Sequence, residues 1–100
     1  MATVEIEEVL LDAEGRILTR PSTSVTGASM VYRAAMGIRW LSEAQAFGPE
    51  KAGGMSPAQW FAQTVGAVRS ELGHELRLTP QTKWTNVSDD LRSEIERANQ

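Results

Sequence analysis

The 100-residue sequence contains no cysteine, which removes disulfides, thiolate metal sites and a cysteine nucleophile together. It has a single histidine, so an imidazole ligand cluster has no second member. No run approaches the ~18 apolar residues of a membrane-spanning helix. The opening MATVEIEEVL lacks the basic start and unbroken apolar stretch of a secretory signal. Positive charge is not in excess either: 10 Lys and Arg face 13 Asp and Glu, a net charge of -3 that repels phosphate backbones. Phosphate-binding glycine loops, dinucleotide fingerprints, HExxH, GxSxG and calcium-loop patterns are all missing. These absences lead us to expect no metal, no cofactor, no nucleic acid and no membrane, and residence in a reducing cytoplasm.

What is present reads as a globular domain. A hydrophobic content of 41% with 23% charged residues is ordinary for a folded protein, and residues 1–100 are expected to form a single domain without repeats. In TVEIEEVLL, Val4 and Ile6 alternate with Glu5 and Glu7 as in a half-buried strand, and the pattern slips at Glu7 and Glu8, where a bulge would reset the faces. DAEG then separates this run from RILTRP, with Gly15 suited to a left-handed turn position, so the two runs form a hairpin.

Capping material, STSVTG, precedes ASMVYRAAM, which predicts a helix near 26–36 with Ala28, Val31, Tyr32, Ala35 and Ile38 on one side and Gly37 as its stop. In IRWLSEAQAF, Ile38 and Trp40 alternate like a strand, while Ser42 and Gln45 match a helical capping box. A short strand and turn is the preferred reading. GPEKAGG, with Gly48, Gly53 and Gly54, is expected to be a flexible loop.

The long helix is predicted over 57–72, with Ser56 as cap, Pro57 in the first turn, Gln59 closing a capping box and Gly73 as its stop. Trp60, Phe61, Thr64, Val65, Val68 and Leu72 form its apolar face. Ala58, Ala62, Gly66 and Ser70 recur at every fourth position, all small. A helix-interior glycine costs about 1 kcal/mol relative to alanine, so Gly66 asks for a packing reason, which close approach of another helix would supply. Strands near 75–79 and 82–87 and a short terminal helix capped by Ser88 complete the chain. The fold class is α+β: a small antiparallel sheet of the hairpin and two later strands, covered by two helices, with the third helix an accessory resting on Leu91, Ile95 and Ala98.

Candidate chemistry is sparse. His74, between Glu71 and Glu75 at the negative end of the long helix, is the one plausible acid-base group. Glu7 and Glu8 would point to opposite faces of a strand, and Asp89 and Asp90 are accounted for by a helix start. Tyr32, Trp40 and Trp84, with Met30, Met36 and Met55 nearby, could line a cleft for an aromatic or cationic ligand. The hairpin VLLDAEGRILTRP and the late LTPQTKWTNV leading into a terminal helix resemble small uncharacterised bacterial proteins carried on mobile gene cassettes such as integrons. That resemblance implies no shared activity. The functional expectation is a non-enzymatic module that self-associates through Ala58, Ala62, Gly66 and Ser70, a homo-oligomer that could also bind another protein. The alternatives are a small-molecule binding protein using Tyr32, Trp40 and Trp84, and an enzyme using His74.

Overall fold

Strand β1 (Ala2–Leu11) is the axis of the molecule, because it is paired along both of its edges. The computed structural model describes residues 2–34 and 36–98. On one edge β1 meets β2 (Ile17–Pro21) in the expected antiparallel hairpin, whose turn places Gly15 at φ +82°. The turn is held by Asp12, whose carboxylate accepts from the backbone N–H groups of Glu14 and Arg16 and from the Arg16 side chain. Burial raises the Asp12 pKa, but these bonds and the Arg16 charge outweigh it and hold the carboxyl below its ordinary value.

The register shifts between Ile6 and Glu8, so Glu7 is the extra residue of a β-bulge at the place where the alternation slips. On its other edge β1 pairs with β5 (His74–Arg77) through Ala2 to Glu5, and with β6 (Lys83–Thr85) through Glu8 to Leu10, both parallel. The remaining strands, β3 (Ile38–Leu41) and β4 (Ala46–Pro49), form a second hairpin that joins the sheet through β2. Among the described residues, six strands thus make one mixed sheet in the order β3-β4-β2-β1-β5, with β6 also on β1. The α+β class holds, while the expected small antiparallel sheet is corrected to a larger and partly parallel one. Alternation defines a strand's faces but carries no information about its direction.

Segment 38–47 is strand and turn, as preferred. GPEKAGG divides instead: Gly48 and Pro49 are buried in β4. Gly48 has a steric reason, because a Cβ there would lie 2.5 Å from Leu18 Cδ2 and 3.1 Å from the Ile17 carbonyl oxygen.

Helices cover one face. The first is 3-10 helical, Ala28–Ala34; of its expected apolar face Val31 is buried, Tyr32 is exposed, and Ala35 lies outside the described residues. Helix α1 (Pro57–Ala67) begins with the anticipated capping box, in which Ser56 and Gln59 exchange hydrogen bonds. It passes into a π-helical turn, Val68–Leu72, and stops at left-handed Gly73. Phe61, Thr64, Val65 and Val68 face the sheet. Helix α2 (Asp89–Ala98) is capped by Ser88, whose hydroxyl accepts from the Leu91 amide. It is more than an accessory, since its Ile95 is fully buried in the core with Phe61, Phe47 and Leu76.

The path from β5 to β6 depends on Thr82. Its buried hydroxyl donates to the Ile6 carbonyl (2.7 Å) and accepts from the Thr79 amide (3.0 Å), bracing the TPQT turn against the bulge. Thr82→Val keeps the shape but orphans both groups, and is expected to lower stability by about 1–3 kcal/mol. A Gly48→Ala replacement is expected to cost about 1–3 kcal/mol by overpacking against Leu18. Each kilocalorie should lower the melting temperature by about 4–8 °C. An unchanged midpoint in either variant would contradict the corresponding contact.

Candidate functional site

The side of α1 that runs beside β5 and α2 borders an open groove. Ala62, Val65 and Gly66 line one cleft of about 370 Å³, with Leu76 and Leu78 opposite and Ala98 at its end. A second cleft adjoins it along α1, between Ala58 and the α2 residues Glu94 and Arg97, and shares Ala62 and Ala98 with the first. Three members of the small-residue series, Ala58, Ala62 and Gly66, therefore lie along one groove, while Ser70 is exposed beyond it on the π turn. Among the described residues, nothing stands within 4 Å of the position a Cβ on Gly66 would take.

The rim beside β5 is charged. Glu75 bridges Arg69 (2.9 Å) and Arg77 (3.2 Å), and the hydrogen bond from Arg77 followed by its charge, with Arg69 adding to both, lowers the Glu75 pKa below the ordinary 4.5. His74 opens β5 and pairs in register with Ala2. Its Nδ1 is buried with no hydrogen-bond partner among the described residues. Glu75 is engaged by the two arginines, and Glu71 lies 3.9 Å from Arg33. The two carboxylates flanking His74 in sequence are thus both turned to guanidinium groups.

The three aromatic residues considered for ligand binding occupy separate places. Tyr32 is 48% exposed, with the Arg39 guanidinium 5.8 Å from its ring centre. Trp40 packs edge to face on Phe47 at 4.8 Å. Trp84 is partly buried beneath α2, where the Arg92 guanidinium lies 4.9 Å over its ring. The pairings Trp40 with Phe47, Phe47 with Thr19, Thr19 with Val9, and Val9 with Trp84 form one row across the sheet. Paired residues share a face, so both tryptophans flank the same buried layer, four strand spacings or about 19 Å apart. They do not wall one pocket.

The carboxylate pairs also separate. Glu8 binds Arg20 and Thr85 on the face opposite that row, whereas Glu7 lies in the bulge. Asp89 and Asp90 occupy the first turn of α2. Of the methionines, Met30 is exposed and Met36 packs partly against the core. Among the described residues, no three His, Asp or Glu side chains gather where they could hold a metal ion. What sequence reasoning missed is the role of β5, whose charged residues and Leu76 form the far wall of the α1 groove. Strand alternation marked Leu76 as inward without indicating which helix it would face.

These features define a small mixed α+β domain with an open helix groove at one sheet edge. No family profile and no curated protein matches the chain. Integron cassette protein Hfx_Cass5, from the mobile metagenome of the North West Arm sewage outfall, is similar to it. The two are 32% identical over 99% of this chain and 97% of that one, with a TM-score of 0.49. That identity across nearly the full length of both chains shows the family, and this chain belongs with the integron cassette proteins.

Glu75 also gives the groove rim a pH signature. A carboxyl whose pKa is lowered on folding contributes stability above its unfolded value, near 4.5, that is lost as pH falls through the folded value. Glu75→Gln should therefore be less stable than the parent at pH 7, with the gap narrowing towards pH 3 in urea unfolding. A gap independent of pH would show that the two arginines do not stabilise the carboxylate.

Proposed function

We propose that this chain is a non-enzymatic interaction module that pairs with a second copy of itself across the small-residue face of α1. The observation that carries the reading is Gly66. A helix-interior glycine is destabilising by about 1 kcal/mol relative to alanine, yet within the chain no described neighbour uses the space its missing side chain leaves. A helix from outside could use that space. Ala58 and Ala62 extend the same low surface, and a two-fold axis through it would set each stripe against its copy.

Exposed Ala62 and half-buried Leu78 supply apolar area in the groove, and the Arg69, Glu75 and Arg77 rim supplies charges of both signs that a two-fold pairing can match. Strand β5, at the end of the sheet path, has no further strand beside it among the described residues and offers a second route for contact through that edge. No helix of the described residues is long and apolar enough to cross a membrane. The absence of cysteine suits a reducing cytoplasm, where we place the chain.

The test combines mass with stability. Light scattering on the parent should give twice the chain mass at micromolar concentration, and Gly66→Leu should return it to the monomer while the unfolding midpoint of dilute protein is kept. Gly66→Ala should raise the stability of the dilute monomer by about 0.5–1 kcal/mol. A parent that is monomeric at every concentration, or a Gly66→Leu variant with unaltered mass, would remove this face from self-association.

A further inference from the structure

Away from the α1 groove, and sharing no lining residue with it, a cleft of about 350 Å³ opens beside the β1 bulge. We propose that this cleft binds a neutral sugar ring. Its walls come from four segments: Glu7 of the bulge, Ser22, Thr23 and Ser24 after β2, Trp40 of β3, and Gln45 of the β3–β4 turn. The volume lies at the small end of the ligand-pocket range of about 300–1,000 Å³, which suits one small ring.

Two of these residues are placed there by local irregularity. A bulge re-aims the side chain it inserts, and Glu7 is the inserted residue, exposed and lining the cleft. Gln45 has a left-handed backbone, φ +53°, at the close of a turn in which the Ala44 amide donates to the Leu41 carbonyl and the Gln45 amide to the Ser42 carbonyl. Glycine is the least strained residue at such a position. The residue present instead brings an amide side chain to the cleft wall, where one of its N–H groups donates to the Ser42 carbonyl of the same turn (2.6 Å) and its oxygen and second N–H remain for a ligand.

The chemistry of the wall selects the ligand. Arg20 also borders the cleft, but its guanidinium is bound by Glu8 and donates to the Ala44 carbonyl, leaving Glu7 as the remaining formal charge. A phosphate would meet that carboxylate unfavourably. A bare cation would use Glu7 and the Trp40 face while making little use of the hydroxyls. Ser22, Thr23 and Ser24 are all exposed, and their hydroxyls, like the Gln45 amide, both donate and accept. A polyhydroxylated ring matches that set: its hydroxyls donate to Glu7 and exchange bonds in both directions with the serines and threonine. Its apolar C–H face can lie on the indole of Trp40, which Phe47 holds edge to face.

Because the chain has three tryptophans, the test resolves them individually. In ¹⁵N-labelled full-length protein the indole N–H signals are assigned with Trp→Phe variants. The protein is then titrated with glucose, galactose, N-acetylglucosamine and maltose, with choline as the cationic probe. The Trp40 signal should move saturably with at least one sugar at a Kd of about 1 mM, while the Trp60 and Trp84 signals stay in place. Glu7→Gln and Ser24→Ala, both at exposed positions, should each weaken binding about fivefold with no change in the melting temperature. Silence of the Trp40 signal with every sugar up to about 100 mM would overturn the proposal. So would a response to choline alone, or sugar binding unaffected by both substitutions. Oligomeric mass plays no part in these readouts, so self-association through α1 can fail without altering them.

Discussion

The Thr82 hydroxyl is the joint on which the far edge of the sheet turns. Strand β1 offers its second edge to two strands in succession, β5 beside Ala2 to Glu5 and β6 beside Glu8 to Leu10. Between them, at the bulge, β1 has no ladder partner on that side, and the Ile6 carbonyl would be left without a donor. Thr82 supplies the donor and at the same time accepts from the Thr79 amide, so one side chain closes both the gap in the ladder and the turn that creates it. Thr79 reinforces the turn, its hydroxyl accepting from the Gln81 amide. The bulge is thereby confined to Glu7, which is free to point elsewhere.

Across the rest of the sheet the two faces are tied by different physics. On the helical face, Trp40, Phe47, Thr19, Val9 and Trp84 form a continuous row, and the middle three are fully buried. Thr19 carries the one side-chain polar atom of that middle set, a hydroxyl with no hydrogen-bond partner among the described residues, a departure from the usual satisfaction of buried polar groups. On the opposite face a polar chain crosses the same strands. Thr85 of β6 donates to the Glu8 carboxylate of β1, which also binds Arg20 of β2, and Arg20 donates to the Ala44 carbonyl of the β3–β4 turn. Leu18 lies beside this chain in the space Gly48 leaves. The turn that carries Gln45 is in this way anchored to the strand that carries Glu7.

Local signals in the sequence were legible wherever one residue type has one geometric use. The Ser56 and Gln59 capping box, the stops at Gly37 and Gly73, the turn at Gly15 and the slip at Glu7 all correspond to features of the fold. Long-range choices were not. Alternation in HELR and KWT describes strands equally well in either direction, so the parallel pairing with β1 could not be read from it. Gly48 looked like loop flexibility because its reason, the Leu18 side chain, sits 30 positions earlier in the chain. Helix α2 looked like an accessory because three apolar residues, Leu91, Ile95 and Ala98, on a polar helix reveal nothing about the depth of the surface they meet. At the sites, the small-residue series was visible as a helical period, whereas the cleft beside the bulge draws on four separated segments. A sequence shows Glu7, Ser24, Trp40 and Gln45 as unrelated letters until the sheet order joins them.

Gly66 and Gln45 are two positions among the described residues where a different residue would suit the backbone of the isolated chain better. At Gly66 the backbone is helical and, among the described residues, the space around a Cβ is empty, so alanine would add helix stability without a steric cost from them. At Gln45 the backbone is left-handed, and glycine would relieve a strain on the order of 1 kcal/mol. The errors run in opposite directions, a side chain missing where one is favoured and a side chain present where none is. Random drift towards tolerable residues explains either alone. Their locations set them apart, because each lines an open cleft and neither is spent on the chain's own core. On the proposed readings the opposite signs call for different occupants: the bare backbone at Gly66 would admit a broad partner surface, and Gln45, one N–H of which is held by the Ser42 carbonyl, would offer the rest of its amide to a small polar molecule.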